Sequence, residues 1–476
     1  MGSNNFLNPL ESVIHGILKV VEPNPEDWKI RFQVIEELRS VVESVESLRG
    51  ATVEEYGSFA SNLFSKWGDL DISIQLANGL YISDAGKRRK VALLGDLQKA
   101  LRLRGVWRKL QLISHARVPI LKFESRLSSI SCDISIDNLA GRMKSKFFLW
   151  IDKIDERFRM MVLLVKEWAK SHGINDPKNG SFNSFSLTLL VIFHFQTCAP
   201  SILPPLRDIY HGNMIDDLKG VRTDAEQHIA QVCTGNISRF RSRRSMPANR
   251  CSLAELFLSF LAKFAQLDMK AGKLGICPYT GEWVELERNK RWMPKTYALF
   301  IEDPFEQPEN SARTVSNKNL GRISEVFVMT HRRLVSSSQD RLDLLGPRSQ
   351  LSQFVTRPLV TIPSYGTAPF TQQMQRASRH TPEQTQRPNH TMGMAHHGNG
   401  HSSIVRPWWD IQAAVVQHPI SIHTTNWRAR PEDGIGSSNN MCPQPNASSH
   451  HPQVHRPQYK PLQHAWKPRL GRDETS

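Results

Sequence analysis

The sequence has no long hydrophobic run. No stretch of about eighteen consecutive apolar side chains occurs in its 476 residues, which predicts that no helix spans a membrane. The first thirty residues also lack a basic segment followed by an apolar core, so the sequence predicts no secretory signal. Membrane and secreted protein classes are therefore not expected.

The sequence also lacks the short motifs of several common sites. Its six cysteines are widely separated, and no CxxC pair marks a zinc cluster or a dithiol redox site. Such cysteine usage is typical of a reducing compartment and predicts a protein of the nucleus, the cytoplasm or both. The GxxxxGK and GxGxxG loops are absent as well, which excludes a Walker-type or Rossmann-type nucleotide site.

Positive charge is what the sequence has in excess. The formal net charge is +16 at pH 7, and the isoelectric point is about 9.7. A protein this basic is expected to bind a polyanion, with RNA or DNA as the first choice. The densest basic runs are KRRK at residues 87–90 and RFRSRRSMPANR at residues 239–250. Each could contact an RNA backbone or act as a nuclear import signal, although such runs are ordinarily solvated surface.

Composition divides the chain into four parts. Residues 51–140 alternate short strand-like and helical segments, which predicts an α/β domain. Residues 141–335 carry apolar side chains three and four positions apart and are predicted to form a mainly helical domain. Residues 1–50 are also predicted to be helical and to pack on that helical domain. Residues 336–476 are rich in Pro, Gln, His and Ser and have too little apolar surface to offset the entropy of ordering, so they are predicted to be disordered.

Two aspartates lie one residue apart in the strand-like segment DLDISIQL. Because strand side chains alternate, Asp69 and Asp71 share a face with Ser73 and Gln75, and we expect this face to point outward from the core. The segment ISCDISI repeats the pattern around Asp133, so three carboxylates converge if the two strands are neighbours. Such a cluster needs neutralisation, and hard oxygen ligands suit Mg²⁺. The alternative is an ordinary strand with acidic side chains on its solvated face.

A Gly-Ser pair precedes these aspartates. Gly57 and Ser58 follow the strand-like segment ATVEEY and open the helix-like segment SFASNLFSKW. Glycine permits a tight turn, and a helix N-terminus with a serine hydroxyl can bind phosphate. Ser58 could instead be a simple N-cap. The whole pattern is more specific than any one of its parts. It consists of a strand, a Gly-Ser turn, a helix and two aspartates, the first of which follows Ser58 after ten intervening residues.

This combined pattern resembles the polymerase-β-type nucleotidyltransferase superfamily. The segments MVLLVKEWAKSHGI, NSFSLTLLVIFHF and IEDPFEQPENSARTVS are similar to those of non-canonical poly(A) polymerases and terminal uridylyltransferases. The resemblance covers roughly residues 10–335 and is greatest to the plant uridylyltransferases that tail small RNAs left unmethylated at their 3′ ends. It implies an α/β palm-like nucleotidyltransferase domain and a mainly helical poly(A)-polymerase-associated domain that hold the nucleotide between them.

The resemblance implies transfer of a nucleotide from a triphosphate to an RNA 3′-hydroxyl. Asp69, Asp71 and Asp133 would be the catalytic residues and would hold two Mg²⁺ or Mn²⁺ ions. In that family's mechanism, one ion held by all three aspartates would lower the pKa of the 3′-hydroxyl, and the other, held by Asp69 and Asp71, would bind the triphosphate. Asp133 would accept the hydroxyl proton.

Nine residues match nucleotide contacts of that family. They are Gly57, Ser58, Asn138, Lys166, Lys170, Ser184, Phe185, Asp303 and Glu306. Lys166 and Lys170 lie one helical turn apart and would bind the triphosphate, although such a pair usually forms a solvated face. Ser184 matches a phosphate contact. Phe185 matches the aromatic residue on which the base stacks, and its alternative role is in a hydrophobic core.

The remaining contacts concern the sugar and the base. Asn138 matches a ribose contact. Asp303 and Glu306 match acidic residues that border the base, although the EDPFE segment could instead form a structural turn. Glu309 occupies the place where some family members carry a histidine that favours UTP over ATP. This departure counts against a preference for uracil, but the plant small-RNA enzymes that the chain resembles share it. The resemblance thus implies uridylyl transfer, with adenylyl transfer as the alternative.

Together these features predict a template-independent RNA uridylyltransferase. It would use UTP to tail the 3′ ends of small RNAs, such as unmethylated microRNAs or siRNAs, and so mark them for degradation. The alternatives are a poly(A) polymerase and a catalytically silent RNA-binding scaffold with the same fold. In the tail, Trp408, Trp409, Trp427 and Trp466 are unusual for a disordered segment and could anchor an Argonaute. RNA, UTP and an Argonaute are thus the expected partners, and a membrane is not.

Overall fold

The computed structural model describes residues 4–76, 86–242, 248–292 and 297–336, all within one compact unit. Residues 337–476 lie outside the described residues, and so do the predictions of a disordered tail and of tryptophan anchors within it. In the part that the structure describes, no helix is long and apolar enough to cross a membrane.

Helices and strands follow the predicted order, with most strands early and most helices late. The helices are α1 (Asn4–Val21), α2 (Pro25–Glu43), α3 (Gly57–Ala60), α4 (Lys87–Arg104), α5 (Leu139–Asp152), α6 (Arg157–Ser171), α7 (Ser184–Thr197), α8 (Leu206–Ile209), α9 (Met214–Asp217), α10 (Arg222–Ser242), α11 (Leu253–Phe264), α12 (Leu267–Ala271) and α13 (Asn317–Val335). The strands are β1 (Thr52–Tyr56), β2 (Leu70–Gln75), β3 (Trp107–Ile113), β4 (Ile120–Ser125), β5 (Ser131–Ile136), β6 (Leu274–Cys277) and β7 (Glu282–Glu285).

Strands β1 to β5 form one mixed sheet with the order β1-β2-β5-β4-β3. β2 and β5 are parallel neighbours, and the other pairs are antiparallel. Leu70 and Ile72 of β2 and Cys132 and Ile134 of β5 are fully buried on one face, as strand alternation predicts. α2 and α4 cover this face and complete its core. The two aspartate-bearing strands are therefore adjacent.

The two N-terminal helices pack on different parts of the molecule. α1 packs against α6 and α11, and its Leu10 and Ile14 belong to the core of the helical part. α2 packs against β1 and α4, and its Leu38 and Val42 belong to the core of the sheet. The prediction that residues 1–50 pack on the helical domain is therefore wrong for α2. The periodicity of a helix identifies its buried face but not the element that covers it.

The polar face of the sheet is buried as well. Ser73 and Gln75 are almost inaccessible to solvent, so the prediction that their face points outward is wrong. α3 and α5 pack at this face, against β2 and β1. The Ser73 hydroxyl accepts hydrogen bonds from Gln75 Nε2 at 2.6 Å and from the Asn138 backbone N–H at 2.9 Å. Burial is tolerated because these polar groups bond to one another.

The helical part has a separate core. α6 and α7 pack together in it, and α7 is apolar on nearly every side because neighbouring elements surround it. Asn183 caps α7, and its side chain accepts a hydrogen bond from the Ser186 backbone N–H at 2.8 Å. This cap places Ser184 and Phe185 in the first turn of a firmly packed helix.

Candidate active site

A cleft of about 450 Å³ lies between the sheet and the helical part. Residues around β1, α3 and β2 line one side, and residues of α5, α6 and α7 line the other. The predicted site residues that line it are Gly57, Ser58, Asp69, Asp71, Lys166, Lys170, Ser184 and Phe185. Those that do not line it are Asp133, Asn138, Asp303 and Glu306.

Three carboxylates beside this cleft interact through their charges, and we call them the acidic edge (Asp69, Asp71 and Asp133). Asp71 and Asp133 are register partners on the parallel strands β2 and β5. Asp69 is exposed, just before β2. Burial, reinforced by the charges of Asp133 and Asp69, raises the pKa of Asp71 to about 7, and Lys122 and Lys166 oppose this shift only in part. The ionised form of Asp71 therefore carries negative charge that the surrounding protein does not fully compensate.

Asp133 is bound by a lysine. Lys122 lies directly across from it on β4, with its ammonium 2.8 Å from Asp133 Oδ1 and 3.0 Å from Oδ2. The acidic edge offers hard oxygen donors of the kind that Mg²⁺ and Mn²⁺ take, so its chemistry fits these ions. Among the described residues, however, no three Asp, Glu, His or Cys side chains form a ready ligand group. The metal-binding role of Asp69, Asp71 and Asp133 stays a prediction, and it requires Asp133 to exchange Lys122 for an ion.

Position 57 requires glycine because the Asp71 side chain lies against it. Its φ is +70°, which L side chains rarely adopt, and a Cβ at this position would overlap the Asp71 carboxylate. Its backbone N–H donates to Ser145 Oγ at 2.7 Å. The prediction of a long helix here is wrong, since α3 has only four residues, with Tyr56 as its N-cap. Ser58 is therefore not the cap, and it lines the cleft from the first turn.

Lys166 and Lys170 lie one turn apart on α6 and face the cleft, so the alternative of a solvated surface is wrong. Lys166 Nζ donates to the carbonyl oxygen of Leu63 at 2.9 Å. Burial, followed by the charge of Lys170, lowers the pKa of Lys166 to about 7. Lys170 lies 3.8 Å from the buried Glu167. The pair forms a poorly solvated basic region that suits an anion such as phosphate.

Phe185 is both a core residue and a wall of the cleft. Its ring is partly buried and lies 5.8 Å from the ring of Phe148 and 6.4 Å from that of Phe305, at tilted angles. Ser184 beside it is exposed. An aromatic ring that is supported by two others and open to a cleft can stack with a planar ligand.

Asn138, Asp303 and Glu306 contact other protein groups beside the cleft, and their predicted roles as ribose and base contacts stay predictions. Asn138 is the N-cap of α5, and its Oδ1 accepts a hydrogen bond from the Gly141 backbone N–H at 3.1 Å. Asp303 and Glu306 bind the ammonium of Lys144, at 2.6 Å and 2.7 Å. Since Gly141 and Lys144 both line the cleft, the three predicted residues lie one contact away from it.

Sequence reasoning missed the contribution of α5. Gly141, Lys144, Ser145 and Phe148 all line the cleft. The last three follow Gly141 by three, four and seven positions, so all four residues share one face of the helix. The sequence feature that could have identified this face is the helical spacing of its small and basic residues shortly after Asp133.

Comparisons with known sequences agree with this architecture. Residues 10–151 match a family model described as the central palm domain of mitochondrial-like poly(A) RNA polymerase. The chain is 58% identical over 336 residues to Protein HESO1 of Arabidopsis thaliana, a match that covers 71% of this chain and 65% of that protein. It is 27% identical over 297 residues to the poly(A) RNA polymerase GLD2 of Mus musculus, over 60% of this chain and 55% of that protein. The chain thus spans less than two thirds of the length of these relatives.

Solved structures share the fold. mtPAP in complex with UTP matches with a TM-score of 0.58 and 19% identity, over 74% of this chain and 75% of that one. A cytoplasmic RNA terminal U-transferase matches with a TM-score of 0.55 and 22% identity, over 72% and 97%. The Cid1 poly(U) polymerase matches with 0.56 and 21%, over 71% and 98%. The predicted fold class, a palm-like α/β nucleotidyltransferase domain with a helical domain, is confirmed.

Proposed function

Since the chain belongs to the polymerase-β-type terminal nucleotidyltransferases, we propose that it is an RNA terminal uridylyltransferase. The 3′-hydroxyl of an RNA attacks the α-phosphate of UTP without a template, which forms a phosphodiester bond and releases pyrophosphate. The observation that carries this proposal is the cleft, which combines Asp69 and Asp71 with Lys166, Lys170 and Phe185. The 58% identity to the plant protein HESO1 and the fold shared with a terminal U-transferase and a poly(U) polymerase support it.

The basic side of the cleft binds the triphosphate. Lys166 and Lys170 lie in poorly solvated surroundings, where the attraction between a protonated lysine and phosphate is strong. Ser58 and Ser184 add hydroxyl donors from the first turns of two helices. The base stacks on Phe185, whose ring is partly exposed. The phosphates and the base thus have separate binding surfaces, which orients the nucleotide.

The acidic edge serves the RNA 3′ end. Asp69, Asp71 and Asp133 would hold Mg²⁺ or Mn²⁺, which when bound neutralises the carboxylates and makes the attacking hydroxyl more acidic. Asp133 gives up its contact with Lys122 and accepts the hydroxyl proton at a carboxylate oxygen. Gly57, which has no Cβ, leaves space beside Asp71.

Small RNAs with unmethylated 3′ ends are the natural substrates in this proposal, and the added uridylates mark them for degradation. The sequence segments that resemble plant small-RNA uridylyltransferases and the net charge of +16 support this choice. An Argonaute would deliver the RNA through Trp408 and Trp409, which lie outside the described residues. The protein would act in the nucleus, the cytoplasm or both.

A primer-extension assay tests the catalytic proposal. The purified full chain is incubated with Mg²⁺ or Mn²⁺, a labelled small RNA and each nucleoside triphosphate in turn. We expect U-tails, which Asp69→Ala and Asp71→Ala abolish and a 2′-O-methyl group on the RNA 3′ end blocks. No extension with any of the four triphosphates would contradict the proposal and favour a silent scaffold.

Poly(A) addition is the second candidate. Glu309 stands where a histidine favours UTP in some relatives, and proteins named poly(A) RNA polymerase, such as human GLD2, are 27% identical to this chain. With UTP and ATP supplied together, predominantly A-tails would support this candidate over uridylyl transfer.

A further inference from the structure

Lys144 lies beside the aromatic wall of the cleft. It is on α5 and lines the same cavity as Phe185. Its ammonium is 5.0 Å from the centroid of the Phe185 ring and 5.8 Å from that of Phe305. Because the ammonium lies over the ring, a base stacked on Phe185 at the usual contact distance of about 3.5 Å must be offset, with one edge next to the ammonium.

Two carboxylates hold the Lys144 ammonium in place. It donates to Asp303 Oδ2 at 2.6 Å and to Glu306 Oε1 at 2.7 Å. Glu306 is also bound at 2.5 Å by Arg117, from the connection between β3 and β4. The side chain of Lys144 is only 15% exposed. Since an ammonium has three N–H donors, these two bonds leave one donor for a ligand in the cleft.

The two carboxylates are themselves anchored. Asp303 Oδ1 accepts hydrogen bonds from the backbone N–H groups of Phe305 at 3.0 Å and Glu306 at 3.3 Å. Asp303 and Glu306 are 8% and 17% exposed. The ammonium is thus a positioned donor, and little reorganisation is needed when an acceptor arrives.

We propose that Lys144 selects the incoming base by donating a hydrogen bond to an exocyclic carbonyl oxygen of a pyrimidine stacked on Phe185. An ammonium donates and cannot accept, so it favours a base edge that presents a carbonyl oxygen over one that presents an amino group. Uracil has two such oxygens, cytosine one and adenine none. This inference rests on the proposed function, and it accounts for a uracil preference in a chain that carries Glu309 in place of histidine.

The test compares Lys144→Met with Lys146→Met. Lys146 is on the same helix and paired with Glu226, but it does not line the cleft, so it is a matched control. Each protein is assayed with UTP, ATP, 2-thio-UTP and 4-thio-UTP, because sulfur accepts hydrogen bonds more weakly than oxygen. In the wild type, one thio analogue should react more slowly than UTP.

Lys144→Met should lower kcat/KM for UTP relative to ATP by about tenfold to a hundredfold, the usual loss for a charge-assisted hydrogen bond. It should also remove the difference between UTP and the sensitive thio analogue. Lys146→Met should leave both ratios unchanged. If Lys144→Met keeps the wild-type UTP-to-ATP ratio and the wild-type response to sulfur, Lys144 is purely structural and the inference is wrong.

Lys144→Met alone would leave Asp303 without its cation and Glu306 with Arg117 only, which is expected to destabilise the fold. A triple variant that combines Lys144→Met with Asp303→Asn and Glu306→Gln removes the two negative charges without changing the side-chain shapes. It should show the same loss of selectivity.

Calorimetric binding of UTP and ATP without RNA separates this inference from the proposed function. Lys144-dependent preference for UTP without RNA extension contradicts the proposed function alone. An unchanged preference in both Lys144 variants contradicts the inference alone.

Discussion

Two clusters of charged residues in this protein have opposite electrostatics. At the acidic edge, burial and like charges raise the pKa of Asp71 to about 7. The second cluster, which we call the Glu226 cluster, consists of Glu226, Arg142, Lys146 and Arg222. Burial alone would raise the pKa of Glu226, but the three cations lower it to about 2. Nearby cations thus compensate the negative charge of Asp71 only in part, whereas they more than compensate that of Glu226.

The difference indicates which cluster serves a ligand and which serves the fold. Arg142 and Arg222 also bind Glu54 on β1, so the ion pairs of the Glu226 cluster join the sheet to α5 and α10. Uncompensated charge at Asp71 disfavours folding, yet it is what a site for a divalent ion needs. Substitutions in each cluster separately therefore test whether the acidic edge serves a ligand and the Glu226 cluster serves the fold.

The largest effect is expected from Asp71→Asn. Nucleotide transfer should fall by at least about 10²–10³-fold, because the charge that steadies the ion and the transition state is lost. Stability should change in the other direction. Since the folded pKa of Asp71 is raised to about 7 from 3.8, the stability that this group contributes is lost as pH rises to 7. At pH 8 the variant should thus melt at a higher temperature than the wild type, and a lower one would contradict the comparison.

Glu226→Gln should show the reverse pattern. The free energy of unfolding should fall by roughly 3–5 kcal/mol, because three cations in the cluster lose their shared carboxylate. Activity per folded molecule should change little, since Glu226 does not line the cleft. Urea unfolding and extension assays measure the two effects. Glu46→Gln, at an exposed pair with Arg49, is the control and should be silent.

The acidic edge was largely predictable from sequence, and the Glu226 cluster was not. Alternation within DLDISIQL and ISCDISI places Asp71 and Asp133 on matching faces because strand geometry is local. The partners of Glu226 include residues 80 and 84 positions away, and no periodicity connects them. Contacts of this kind arise from packing between elements, which a single sequence does not encode locally.

The same limit explains why the sequence did not reveal the surroundings of Asp303 and Glu306. The resemblance drew attention to Asp303 and Glu306, but their partner Lys144 lies 159 and 162 positions earlier. Likewise, the polarity of Ser73 and Gln75 suggested a solvated face, whereas α3 and α5 cover it. Polarity shows that hydrogen bonds are needed and does not show whether water or protein provides them.

Gly57→Ala should disturb the acidic edge by geometry and not by charge. The added Cβ meets the Asp71 carboxylate at a positive φ, so unfolding free energy should fall by about 1–3 kcal/mol and activity should fall with it. Gly95→Ala is the matched control, because Gly95 lies within α4 with open space around its Cβ position. It should stabilise by about 0.5–1 kcal/mol. Equal effects of the two changes would contradict the close-packing argument.

The smallest effect concerns the pH dependence of nucleotide binding. Because the pKa of Lys166 is lowered to about 7, only about half of the free molecules carry this charge at neutral pH. Phosphate favours the charged form, so UTP affinity should fall as pH rises above 7, by at most about tenfold per pH unit. Calorimetry between pH 7.5 and about 9 measures this, since the triphosphate is already ionised there. Lys166→Arg, which stays charged, should give a flat profile.

Stability should respond to the same residue with the opposite sign. The unfolded lysine has a pKa of 10.5, so between about 7 and 10.5 the unfolded chain binds more protons than the folded one. The contribution of Lys166 to stability therefore rises with pH over this interval, while its contribution to UTP affinity falls. Lys166→Arg should lose both trends together. If affinity and this stability term fell in parallel in the wild type, a lysine held partly neutral beside the acidic edge could not be their common cause.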